Sequence, residues 1–257
     1  AYIHQGKMDY LYDKVGFYDT LKAIMQGKVA ANTIFAAQSQ VTDIEAHMLH
    51  FLENHDEQRI ASPDFAGNAR WGKPAMVVSS LISRAPTLLY FGQDVGEDGS
   101  ENAGFGTPTR TSIFDYIGVP AHQAWMNNGK FDGANLTQEQ VALRDYYKAI
   151  MSLNSLPAVV GGEMTELSVT GSERVVGFTR KLGQQALYVL SNFSEQPQTI
   201  TVNLSKAQLG AMSENTLLND LLENHTTQLK AHPQGATFNL TLDAFSSAVL
   251  TNKANHE

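Results

Sequence analysis

The densest group of residues able to do chemistry is FLENHDEQR, residues 51–59. It follows directly on the apolar run at residues 48–52, so Asn54, His55 and Asp56 stand just past an expected strand end. That is where α/β enzymes place their functional groups. The cluster has three readings. His55 and Asp56 could ligate a metal, or an acid or base could work beside a histidine donor. The third reading is a polar loop rich in capping residues.

Other titratable groups are less concentrated. His47 and His50 are three apart, but on a strand they would face opposite sides, which speaks against a shared metal. His4, His122, His225, His232 and His256 lack ligand spacing around a common carboxylate. The stretch EDGSEN, residues 97–102, is rich in oxygen donors but lacks the spacing of an EF-hand, so a solvated loop is expected. No metal site is assigned.

The elements that must position these groups fall into two textures. Up to about residue 155, helical periodicity alternates with short apolar runs. Phe17, Leu21, Ile24 and Met25 recur at helix spacing. Val77, Leu81 and Ile82 form a buried stripe opposite Met76, Ser80 and Ser83. A third helix is expected over residues 137–153, with Val141, Tyr147, Ile150 and Met151 apolar. Its cap is Asn135 or Thr137, the latter at capping-box spacing from Gln140. Strands are expected at residues 7–12, 47–53 and 87–91, giving an α/β architecture with parallel pairing.

After Pro157 the pattern becomes all-β. Strands are expected at residues 175–179, 186–191, 199–204, 237–242 and 247–250, which predicts an antiparallel β-sandwich. The interval 205–235 reads as a polar insertion, with Leu217, Leu218, Leu221 and Leu222 forming a short helix or a further strand.

Composition narrows the classes. The 257 residues include no cysteine and carry a net charge of -8, with 42% hydrophobic content. Disulfides, thiolate metal sites and cysteine nucleophiles are excluded. No apolar run reaches membrane-spanning length. Without a basic tract, nucleic-acid binding is not expected. The opening AYIHQGKMDYLYDK has neither an initiator methionine nor an apolar leader, so the chain reads as processed, excised or truncated.

FLENHD resembles the fourth conserved motif of the alpha-amylase family, glycoside hydrolase family 13. The stretch at residues 8–25, MDYLYDKVGFYDTLKAIM, resembles the sixth-strand region of bacterial members. APTLLYFGQDVGEDG, residues 85–99, is similar to the eighth strand and its loop, with Asp94 where glutamate is usual. RTSIFDYIGVPAHQAWMNNGKFDG, residues 110–133, resembles the stretch after that strand. The resemblance implies the C-terminal part of a (β/α)8 TIM barrel, strands six to eight, over residues 1–155. A C-terminal β-sandwich domain over residues 156–257 would follow.

The same resemblance implies roles. Asp56 matches the aspartate that stabilises the transition state, and His55 matches the histidine that hydrogen-bonds the same sugar. Asn54 is implied as loop support and Tyr90 as a strand residue. Arg59 either braces the loop or approaches substrate, with a surface salt bridge as the alternative. Arg110 would orient Asp115, contact substrate or pack. Trp71 and Trp125 have flat faces suited to pyranose rings, and packing is the alternative for each.

A retaining glycosidase needs two close carboxyl groups, one nucleophile and one acid/base. In the family these follow the fourth and fifth strands, and no GxRxDxxxH-like pattern occurs in this sequence. Asp9, Asp13 and Asp94 are assigned structural or loop roles. The expected function is therefore one part of a retaining α-1,4-glucan hydrolase that supplies Asp56 to a composite site. A non-catalytic carbohydrate-binding or structural module is the alternative. The expected partners are an α-glucan or maltooligosaccharide, and the N-terminal part of the same enzyme or a second copy covering the open barrel. No cofactor is expected in this chain, while calcium is a candidate for the complete enzyme. An extracellular or periplasmic setting is expected, with the cytoplasm as the alternative.

Overall fold

The computed structural model describes residues 2–99, 111, 118–209, 216–223 and 226–252. Arg110 and Asp115 lie outside the described residues, as do His225, His256 and the end of the EDGSEN stretch.

Three short strands form the sheet of the first part: β1 (Leu11–Tyr12), β2 (Met48–Phe51) and β3 (Thr87–Leu88). They pair in sequence order, and both pairings are parallel, with Leu11 opposite Met48 and Phe51 opposite Leu88. Parallel neighbours need crossovers. Helices α1 (Asp19–Met25) and α2 (Thr33–Ser39) lie between β1 and β2 in the chain, and α3 (Lys73–Leu81) lies between β2 and β3. Because the strands run the same way, all three end on one edge of the sheet. Among the described residues these strands do not close into a barrel.

The strands are shorter than the expected runs. Lys7 has a left-handed φ of 58°, which bends the chain out of strand geometry before Leu11. His47 belongs to a 3₁₀ turn, Glu45–His47, and is exposed, so only His50 of the two histidines sits on β2.

After β3, α4 (Pro120–Met126) and α5 (Gln138–Leu153) complete the first part. The Thr137 hydroxyl accepts from Gln140 N at 3.2 Å, and Gln140 Oε1 accepts from Thr137 N at 2.9 Å, which forms the expected capping box. Leu143, Tyr146, Tyr147, Ile150 and Leu153 are the buried residues of α5, whereas Val141 is exposed. Helix α3 is buried all round, including Ser79 and Ser80. Its expected polar face is covered because the helix packs against a second sheet as well as the first, with Val77, Val78 and Leu81 in the shared core.

That second sheet begins the antiparallel part. After the short helix α6 (Pro157–Val160) come β4 (Glu163–Glu166), β5 (Ser168–Thr170), β6 (Val175–Leu182), β7 (Gln185–Asn192) and β8 (Gln198–Ser205). The short helix α7 (Lys206–Leu209) is followed by β9 (Leu217–Asp220), β10 (Thr226–Gln228), β11 (Lys230–His232), β12 (Gly235–Leu242) and β13 (Ser247–Thr251). They form a six-stranded sheet in the order β10-β9-β13-β7-β6-β4 and a four-stranded sheet in the order β11-β12-β8-β5. Leu217 and Leu218 therefore lie in a strand.

Period-2 alternation divides the faces of the six-stranded sheet. Val176, Phe178, Leu187, Val189 and Val249 join α1, α3 and α5 in one apolar cluster. Their neighbours Val175, Tyr188, Leu190, Ala248 and Leu250 point to the other side and join Ile200, Val202 and Phe238 of the four-stranded sheet. A strand covered on both faces reads as a continuous apolar run, which is how residues 186–190 of β7 read in the sequence.

Two arginines fasten the parts together. Buried Arg180 on β6 donates to the carbonyl oxygens of Ile82 (3.1 Å), Ala158 (3.3 Å) and Val159 (2.5 Å). Burial pushes its guanidinium down to about 10. Arg174 donates to Ile24 O at 2.7 Å and Phe193 O at 2.5 Å. Trp71 stacks on Phe245 with ring centroids 5.2 Å apart, so its one described ring contact is packing between the parts.

Candidate active site

The FLENHD segment leaves the middle strand, β2, at the common C-terminal edge of the parallel sheet. Its alternation assigns each residue a side. Phe51 enters the core and is stacked on Tyr18 with centroids 4.8 Å apart. Glu53 and Asn54 are buried, while the chain turns outward at His55 and Asp56.

Asn54 makes that turn. Its Oδ1 accepts from both Asp56 N and Glu57 N, each at 2.8 Å. This Asx turn folds the backbone back on itself and projects two consecutive side chains from one short loop. His55 Nε2 lies 3.3 Å from Asp56 Oδ2, with the side chains 43% and 67% exposed. With Glu53, Asn54 and Arg59 buried, this is an accessible carboxylate beside an accessible imidazole. Glu57 is held by Lys14 Nζ at 3.1 Å, from the helical turn that follows β1.

Arg59 lies underneath. It is 0% exposed, and its Nη1 donates to Glu53 Oε2 at 2.7 Å and to Phe91 O at 2.8 Å. The other Glu53 oxygen accepts from Ile60 N at 2.6 Å. Burial pushes the Glu53 carboxyl up from its usual range, against the pull of Arg59 and the Ile60 N–H. The Arg59 guanidinium also lies over the rings of Tyr90 and Phe91, at 4.6 and 4.9 Å from their centroids. Arg59 thus sits in a buried loop brace, not in a surface salt bridge. Glu53, to which the sequence reading gave no role, is its partner. The available signal was an acid directly after an apolar run with an arginine six residues on.

Tyr90 lies two residues past the end of β3 and is largely buried beneath Arg59. The turn that follows needs Gly92 at φ 77°, where an added Cβ would come within 2.9 Å of Glu97 Cβ. Gln93 closes the turn, accepting from Tyr90 N at 3.2 Å and donating to Tyr147 OH at 3.3 Å. Asp94 forms an ion pair with Arg144 of α5.

Asp13, at the end of β1, is buried. Its Oδ1 accepts from Phe17 N at 3.2 Å, and its Oδ2 lies 3.6 Å from His50 Nε2. His50 in turn donates from Nδ1 to Ser79 O at 2.8 Å and stacks on Phe17. These contacts join β1, β2 and α3 beneath the loop.

Glu97 is not part of a solvated loop. It is 1% exposed, and its Oε2 accepts from Ala121 N at 3.0 Å and His122 N at 3.2 Å at the start of α4. Its Oε1 accepts from Gly99 N at 3.4 Å, so both carboxylate oxygens face backbone donors. Among the described residues no group of three histidine or acidic side chains is placed to hold a metal ion. Among them, too, no helix is long and apolar enough to cross a membrane.

No family model matches the sequence, and no curated protein matches it. Solved structures do match its fold. The noncanonic maltogenic alpha-amylase AmyB from Thermotoga neapolitana superposes with a TM-score of 0.64 at 13% identity, over 97% of this chain and 52% of that one. AmyP, in complex with maltose, gives 0.67 at 20% identity, over 96% and 50%. The alpha-amylase of Geobacillus thermoleovorans, complexed with acarbose, gives 0.60 at 16%, over 91% and 46%. The chain spans about half the length of these proteins. In fold, this chain is similar to part of several enzymes of the alpha-amylase family, glycoside hydrolase family 13.

Proposed function

We propose that this chain is part of a retaining α-glucan hydrolase and supplies Asp56 to a composite active site. The observation that carries the reading is the loop after β2, which exposes His55 and Asp56 side by side while Glu53, Asn54 and Arg59 are turned inward. In this reading residues 1–155 are strands six to eight of a (β/α)8 barrel with their helices, and residues 156–257 are a β-sandwich domain. The nucleophile and the acid/base come from a partnering barrel segment, either the N-terminal part of the same enzyme or another copy.

Cleavage of an α-1,4-glucosidic bond passes through a transition state with positive character on the sugar ring. A fixed carboxylate at Asp56 stabilises that charge without bonding to carbon, and His55 donates a hydrogen bond to a hydroxyl of the same sugar. Asn54 and the Glu53–Arg59 pair hold the loop so that little reorganisation is needed when charge develops. Tyr90 supports Arg59 from below. A maltooligosaccharide is the expected substrate class, and cleavage of polymeric glucan suits an extracellular or periplasmic enzyme.

Intact mass and size-exclusion chromatography, combined with a starch assay, test this reading. The 28.1 kDa chain alone is expected to be inactive and to gain activity with the remaining barrel segment. Starch hydrolysis at an enzyme-like rate by the chain alone would overturn the composite site.

A further inference from the structure

The loop that exposes Asp56 is laced to the segment that follows β1. Lys14 opens the helical turn Lys14–Tyr18, Lys22 lies on α1, and Gln26 caps its end one turn further on. Lys14 Nζ meets Glu57 Oε1 at 3.1 Å, Lys22 Nζ donates to Gln58 Oε1 at 3.1 Å, and Gln26 Nε2 donates to Asp64 O. Three side chains of one segment thus hold three points of the loop between β2 and α3, in matching order.

The first of these points adjoins the exposed carboxylate. Asn54 Oδ1 accepts from the amides of Asp56 and Glu57, which fixes where the chain enters the turn. Lys14 fixes where it leaves. The same ammonium pairs with Asp19 at 2.8 Å and lies over the Tyr18 ring, 5.2 Å from its centroid. Tyr18 is fully buried and stacked on Phe51 at the end of β2. Burial works against the Lys14 charge, but Asp19 and Glu57 outweigh it and raise the ammonium above its ordinary 10.5. An isolated surface ion pair contributes little, whereas a lysine shared by two carboxylates and a ring is a network. The Glu57 side chain is only 14% exposed, so water competes weakly for it.

We propose that Lys14 is a positioning residue for Asp56 and acts through Glu57. The consequence for catalysis rests on the hydrolase reading above, while the tether does not. With the backbone held on both sides, by Asn54 and by Lys14, the Asp56 carboxylate keeps a fixed aim, and little reorganisation precedes the transition state.

Amide hydrogen exchange on this chain reads the tether, and maltoheptaose kinetics of the reconstituted enzyme read its consequence. Lys14→Met is expected to speed exchange at Asp56 and Glu57 but not in β2. It is also expected to lower kcat about tenfold with KM little changed. Lys14→Arg is expected to restore both. Glu57→Gln is expected to match Lys14→Met, and the double variant to be no worse than either single. Unchanged exchange in Lys14→Met would overturn the tether, whether or not the enzyme cleaves glucan. Faster exchange with kcat unchanged, a loss confined to KM, or additive losses in the double variant would overturn the positioning role. Absence of Asp56-dependent cleavage in the unmutated enzyme counts against the hydrolase alone, and exchange at Asp56 then decides whether Lys14 positions it.

Discussion

Glu53 and Arg59 form a buried ion pair, 2.7 Å between Oε2 and Nη1, directly beneath the loop that exposes His55 and Asp56. The pair joins the root of the loop to its far end, and the bond from Arg59 to Phe91 O joins both to the segment after β3. Loop geometry is therefore set from inside the protein, by groups that solvent does not reach.

Removing one partner leaves the other charge buried. Arg59→Met is expected to cost about 4 kcal/mol in urea unfolding. The double replacement Glu53→Leu with Arg59→Met is expected to cost less than the sum of the singles. Additive losses would show that the two residues are not coupled.

Asn54 acts through its side-chain oxygen. Asn54→Ala frees the Asp56 and Glu57 amides and is expected to cost about 1 kcal/mol. Asn54→Asp keeps an acceptor and is expected to retain most of that stability. Equal losses in the two variants would argue against the Asx turn. In the reconstituted enzyme, Asn54→Ala is expected to lower kcat more than it raises KM, because Asp56 is misplaced.

Arg180 holds carbonyl oxygens from both parts of the chain, and a hydrophobic isostere leaves them without a donor. Arg180→Met is expected to cost about 3 kcal/mol and to increase amide hydrogen exchange at the end of α3 and in α6. Protection unchanged at both places would contradict the clamp.

His122 lies between Phe91 and Trp125, with ring centroids 5.3 and 5.5 Å away. Burial, and then the Arg59 guanidinium, hold its imidazole below the ordinary 6.5, with Glu97 pulling the other way. A depressed histidine favours folding in its neutral form. Its contribution is complete above 6.5 and is lost as the pH falls through the folded value. An NMR titration of the His122 ring is expected to give a midpoint below 6.5, and a midpoint above it would reverse the sign.

The parts of this fold that were legible in the sequence are those governed by local rules. Thr137 and Gln140 announce a capping box by spacing alone, and FLENHD marks a strand end by the abrupt change from apolar to polar. What was not legible depends on what lies across from a residue. Ser80 lies opposite the expected buried stripe until a second sheet covers α3. Glu97 looks solvated until the start of α4 arrives at its carboxylate. Strands β4, β5, β10 and β11 are short and largely exposed, so they carry little apolar pattern and depend on backbone pairing with longer neighbours. Glu53 was hidden for a related reason, because its partner becomes a neighbour only after the Asn54 turn has formed.

The composite site turns on one carboxylate, Asp56. The most direct measurement is kcat for maltoheptaose cleavage by the enzyme reconstituted with its N-terminal barrel segment, with Asp56 intact and as Asp56→Ala. The expected loss is about a hundredfold or more, with unfolding stability nearly unchanged because the side chain is 67% exposed. Near-normal kcat in the Asp56→Ala enzyme would contradict it.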